Sequence, residues 1–108
     1  MITVVVIPAE IEQPVQRMEI EGELSDYQHI VGGLIEAVDC GGADREAFYV
    51  NEEGLLMDLD YNQRATVYTM WRTSRQAYLV GDAVLVGPVD DEGNTTSVPT
   101  TVLRWFGL

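Results

Sequence analysis

Residues 24–38, LSDYQHIVGGLIEAV, change their periodicity at a pair of glycines. Leu24, Tyr27, Ile30 and Val31 recur at the spacing of an amphipathic helix. Ser25 reads as its N-cap, with Gln28 three residues on to complete a capping box. Gly32 and Gly33 stop the helix after about two turns, because glycine enters the left-handed C-cap conformation without steric cost. Leu34–Val38 then resumes as a strand with Glu36 facing outward.

Toward the N-terminus, Ile2–Ile7 is a β-branched run that reads as a buried strand. Pro8 and Pro14 bracket a short link, AEIEQ. In Val15–Glu21 only Met18 and Ile20 keep an apolar phase, which suits a half-exposed second strand. Toward the C-terminus, CGGAD (residues 40–44) reads as a loop and Phe48–Val50 as a strand that runs into the turn Asn51-Glu52-Glu53-Gly54. Asn62 can cap a helix to Arg72, with Ala65, Tyr68 and Trp71 or Arg72 on one face and Val67, Met70 and Trp71 on the next; the β-branched Thr66, Val67 and Thr69 pull weakly the other way. Tyr78–Val80 and Ala83–Val86 are strand-like, broken by Gly81-Asp82, and residues 90–94, DDEGN, form a turn. Ser97 and Pro99 lead into a last short helix carrying Val102, Leu103 and Phe106. Without regular βαβ alternation this order predicts an α+β fold: one small domain over residues 1–108, with a mostly antiparallel or mixed sheet and two or three short helices.

Eighteen acidic residues face six basic ones, all arginine, for a formal charge of -12. Such a charge favours solubility and repels nucleic acid and anionic membranes at long range. No apolar stretch approaches the roughly 20 residues that cross a bilayer, and the start MITVVVIPAEIEQP lacks the basic region of a signal peptide. The single cysteine, Cys40, cannot close an intrachain disulfide, the pattern of a reducing cytoplasm.

Asn51, Glu52, Glu53 and Gly54 are the most site-like exposed polar group, two adjacent carboxylates on a tight turn, although neighbours in a turn point apart. Gly32 and Gly33 could let a ligand approach the backbone, and Asn62 and Arg64 could line the same region. Arg64, Arg72 and Arg75 could hold one anionic group, against the alternative of pairing with the chain's own acids. Asp58-x-Asp60-x-Asn62 opens like a calcium loop but has Gln63 where glycine is needed and Thr69 where a bidentate glutamate belongs. His29 and Cys40 lack a third group to orient them as a nucleophilic pair. No catalytic residue, metal or cofactor is assigned.

Three segments taken together, HIVGGLIEAV at 29–38, YVNEEGL at 49–55 with NQRAT at 62–66, and GDAVLVG at 81–87, carry a family likeness. The chain resembles, from about Val4 to Val98, the domain of unknown function 3846 family of small bacterial and phage proteins, in which a VGG.IE segment precedes an N-E-E-G turn, an N…AT segment and a GD-V-V-G segment. The resemblance implies a phage or mobile-element setting and a cytoplasmic site of action. Together with the acidity it gives the expectation of a non-enzymatic protein that binds a host protein or defence component. The alternatives are a DNA mimic inhibiting a nucleic-acid-binding protein, and a nucleotide or small-ligand module using Gly32-Gly33 and the Arg64–Arg75 segment. Direct nucleic-acid or membrane binding is not expected, and a homodimer through Trp105-Phe106 is a further alternative.

Overall fold

The computed structural model describes residues 1–74 and 76–108, so Arg75 lies outside the described residues. Its centre is the β-branched run: β1 (Ile2–Ile7) pairs antiparallel with β5 (Ala83–Val86) on one side and with β2 (Gln16–Ile20) on the other. On the far side of β5 comes β4 (Ala47–Asn51), and then β3 (Ile35–Asp39) closes the sheet, again antiparallel. The spatial order is β2-β1-β5-β4-β3.

The side-chain period of two divides each central strand between two cores. Val5, Ile7, Phe48, Val50 and Leu85 point to one face, where they meet Ala65 and Tyr68 of α2 (Gln63–Thr73) and Val102 and Leu103 of α3 (Thr100–Trp105). Val4, Val6, Val84 and Val86 point to the other, where they meet Tyr27 and Val31 of α1 (Leu24–Val31). Helices therefore cover both faces, which is why β1 and β5 read as continuous apolar runs instead of alternating ones. The outer strand β2 alternates, with Met18 and Ile20 turned to the α1 core. The architecture is the α+β fold expected, with a wholly antiparallel sheet.

Four local readings shift. The α1 N-cap is Glu23, not Ser25, and the Asp26 carboxylate receives the Gly22 and Glu23 N–H groups at 3.1 and 3.0 Å, an acid placed where the helix dipole favours one. Leu24 consequently sits on the solvent side of that helix. Tyr78–Val80 does not form a strand; only Val80 makes an isolated bridge, to Tyr61. On α2 the buried face is Ala65, Thr66, Tyr68 and Thr69, and Trp71 faces out.

Candidate functional site

The polar residues picked out from the sequence fall into two groups, those that hold the frame and those that face solvent. Asn62 belongs to the first. It is fully enclosed, its Oδ1 accepts from Ala65 N at 3.0 Å, and its Nδ2 donates to Ile7 O and Gly81 O at 2.8 and 2.9 Å. One side chain thereby caps α2 and ties it to the end of β1 and the turn before β5. The neighbouring Thr66 hydroxyl accepts from Leu79 N at 3.0 Å. Asn51 is likewise buried: Nδ2 donates to Val31 O at 3.2 Å, and Oδ1 accepts from Glu53 N at 2.8 Å. Gly33 lies against this amide, since a Cβ there would stand 3.0 Å from Asn51 Nδ2, while Gly32 makes the left-handed C-cap of α1 at φ 80°. Asn51, Gly32 and Gly33 thus form a structural joint, and the amides of Asn51 and Asn62 are both engaged in hydrogen bonds within the fold. The sheet separates Gly32 and Gly33, at the end of α1, from Arg64 and Arg72 on α2.

The arginines do not converge either. Arg64 Nη2 donates to the carbonyls of Pro8 and Glu10 at 2.8 and 3.0 Å. Arg72 pairs with the chain's own acids: Nε donates to Glu46 Oε2 at 2.9 Å and Nη2 to Asp44 Oδ2 at 3.1 Å. Glu46 is completely buried and also accepts from the Tyr68 hydroxyl, while Thr101 donates to Asp44 at 2.8 Å. This network joins the β3–β4 loop to α2 and α3. Glu46 had no signal in the sequence, because its partner is 26 residues away. Burial, then the hydrogen bond to Glu46, pushes the Tyr68 phenol up. Burial, reinforced by the Glu46 charge, pushes the Cys40 thiol up to about 12. Cys40 lies in the α2/α3 core and His29 is exposed on α1 across the sheet, so the two are not a pair. Among the described residues no group of three or more His, Cys, Asp and Glu side chains could hold a metal.

Solvent-facing apolar side chains collect in two places. After β4 the chain winds through a hydrogen-bonded turn, Met57 N to Glu53 O at 2.9 Å and Leu59 N to Gly54 O at 3.0 Å. The turn holds Leu55 and Leu56 outward, 73% and 87% exposed, with Met57 beside them. Leu55, Leu56 and Tyr78 line a groove of about 330 Å³ together with Glu36 and Glu52. Tyr78 stacks on Tyr61 with ring centroids 4.9 Å apart. Glu53, Asp58 and Asp60 are exposed in the same segment, and among the described residues none of these carboxylates is ion-paired. The second place is a groove of about 460 Å³ between the 8–15 link, α2 and α3, walled by Ile11, Val15, Val67, Trp105 and Phe106. Trp71 packs on Trp105 at its rim, centroids 5.1 Å apart, and the two are 70% and 49% exposed.

The class of protein so defined is an antiparallel α+β domain whose recognisable polar residues are largely spent on joints, with apolar groups offered to solvent between acidic or aromatic neighbours. Residues 2–107 match the family model described as Domain of unknown function (DUF3846), and the chain belongs to that family. No curated protein and no solved structure matches it.

Proposed function

We propose that this chain is a non-enzymatic binding protein that docks, through the 52–58 turn, on a basic and apolar surface of a host protein. The observation that carries the proposal is the pair Leu55-Leu56, held outward by a hydrogen-bonded turn beside the exposed carboxylates of Glu36, Glu52, Glu53, Asp58 and Asp60, none of which is ion-paired among the described residues. Apolar patches rimmed by polar groups mark association surfaces. Burying each leucine on docking is worth about 1.5–3 kcal/mol, and the acidic rim steers a cationic partner toward the turn and excludes anionic ones. The net charge of -12 acts in the same direction. Further support comes from the groups chemistry would need: the Cys40 thiol is enclosed and hard to ionise, and Glu46 is clamped by Arg72 and Tyr68.

The setting in a phage or mobile element, and action in the host cytoplasm, rest on the likeness to a family of phage and bacterial proteins. A DNA mimic is the weaker reading. Several acids are withdrawn from any phosphate-like array: Asp44 and Glu46 serve Arg72, Asp26 caps α1, and Glu19 accepts from Thr3 at 2.8 Å.

The test compares capture from bacterial lysate by tagged wild-type protein, by L55D/L56D and by E52Q/E53Q. The proposal expects specific partners that disappear with L55D/L56D and bind E52Q/E53Q more weakly and with less salt dependence. Both variants should melt as the wild type does, since the altered side chains are exposed. Capture of the same proteins in the same amounts by L55D/L56D would overturn it.

A further inference from the structure

The aromatic groove between the 8–15 link, α2 and α3 shares no lining residue with the acidic turn and has a different chemistry. Its walls are apolar and aromatic, and only one of its lining residues, Arg64, is charged. Arg17 and Arg72 both have carboxylate partners. Arg64, like Arg45 and Arg104, has none among the described residues, and of these three it alone lines this groove. A guanidinium offers five N–H donors in fixed directions. Two go from Nη2 to the Pro8 and Glu10 carbonyls, which pin the group in place at the edge of the groove. Nε is buried without an acceptor, and Nη1 makes no hydrogen bond to the described residues. A fixed cation with donors to spare, set against aromatic walls, is the recognition element for a molecule that is apolar at one end and anionic at the other.

We propose that this groove binds a small amphipathic carboxylate, an alkyl or aryl acid. Its apolar body packs between Ile11, Val67, Trp105 and Phe106, and its carboxylate meets the free Nη1 group of Arg64, the buried Nε adding charge but no contact. A volume of about 460 Å³ is in the range of small-molecule sites and accommodates a body of about eight carbons. The overall negative charge does not forbid this. Exposed charges beyond about 8 Å are largely screened at physiological ionic strength, whereas the carboxylate sits in direct contact with Arg64. Pre-positioning by two carbonyls also means that little side-chain entropy is lost when the ligand arrives.

The two tryptophans of the chain, Trp71 and Trp105, lie at this groove, so intrinsic fluorescence reads its occupancy directly. The experiment titrates the full chain with octanoate, octanol and octyltrimethylammonium, each below its self-association limit. Octanoate is expected to shift the emission saturably and to bind at least about tenfold more tightly than octanol, which corresponds to a single good charge-assisted hydrogen bond. R64M should erase that preference, bringing octanoate and octanol to about the same affinity, and R64K should retain part of it. Equal affinity for octanoate and octanol, tighter binding of the ammonium, or no fluorescence response to any of the three would each overturn the proposal. So would a preference for octanoate that survives in R64M. If R64M loses its fold because the Pro8 and Glu10 carbonyls are released, the head-group series on the wild-type protein decides the question alone.

Discussion

Replacing Asn62 by alanine removes three hydrogen bonds from a site with no access to water. The bond from Ala65 N to Oδ1 is a helix N-cap, worth about 1 kcal/mol. The two from Nδ2 satisfy buried carbonyls at Ile7 and Gly81, and losing each costs about 1–2 kcal/mol. The sum is about 3–5 kcal/mol, a large share of the stability of any domain this size. In urea denaturation followed by circular dichroism, with a slope of about 2 kcal/mol/M, the midpoint should fall by about 2 M. Asn62→Ser separates the contributions: it keeps the cap, loses the carbonyl contacts, and should recover only about 1 kcal/mol. Asn62→Asp keeps the acceptor for Ala65 N but turns a carboxylate toward two carbonyl oxygens. That environment favours the protonated acid, so its folded pKa lies above the unfolded value of about 3.9. The folded state then binds more protons, and the variant loses stability as pH rises from about 4. A midpoint for Asn62→Ala within about 0.5 M of wild type, or full rescue by serine, would refute the role given to this side chain.

Gly87→Ala should destabilise by more than about 3 kcal/mol, read by thermal melting, because its Cβ would stand 2.0 Å from the Ser97 carbonyl oxygen, a backbone atom that cannot rotate away. Arg72→Met should cost about 3 kcal/mol or more by leaving the buried Glu46 without its cation, and E46Q/R72M should lose much less than the two single changes added together. Cys40 should resist a thiol reagent such as dithionitrobenzoate in the native protein at pH 8 and react at once in denaturant, since it is buried and its thiol is pushed up to about 12. That raised folded value has the same sign as the raised Tyr68 phenol: the stability they contribute is full below the ordinary thiol range and is lost as pH climbs from about 9 toward 12. An alkaline urea series should show the midpoint falling across that window.

Most of the architecture was legible because it depends on local periodicity. The continuous apolar runs of β1 and β5, the glycine stop after α1 and the Asn62 cap of α2 each express a rule that acts within a few residues. The misreadings have the same origin. Ser25 looked like the cap because hydroxyls are good caps, yet the chain enters the helix two residues earlier and Asp26 does the work from the first turn. Glu46 was invisible because a buried carboxylate is recognisable only by its partners, and Tyr68 and Arg72 reach it across the fold. Asn51 read as an exposed turn residue, and Asn62 gave its capping role but not its enclosure; both are buried. What enclosed them was the packing of α1 and α2 against opposite faces of the sheet, which no spacing encodes.

The surface follows a different logic from the frame. A helix that covers a sheet needs one apolar stripe, and α2 supplies it with Ala65 and Tyr68 beside the hydrogen-bonded Thr66 and Thr69. Yet α2 carries a second set, Val67, Met70 and Trp71, that the fold leaves in water. Nothing in the folding of this domain requires them, since the core closes with Tyr68 stacked on Phe106 beneath. Beside a formal charge of -12, exposed tryptophans and leucines are the side chains whose burial a partner would favour most. The frame accounts for Asn51 and Asn62 of the family segments but leaves Glu36, Glu52 and Glu53 in solvent, so the proposed docking surface draws on these uncovered apolar groups together with the charges beside them.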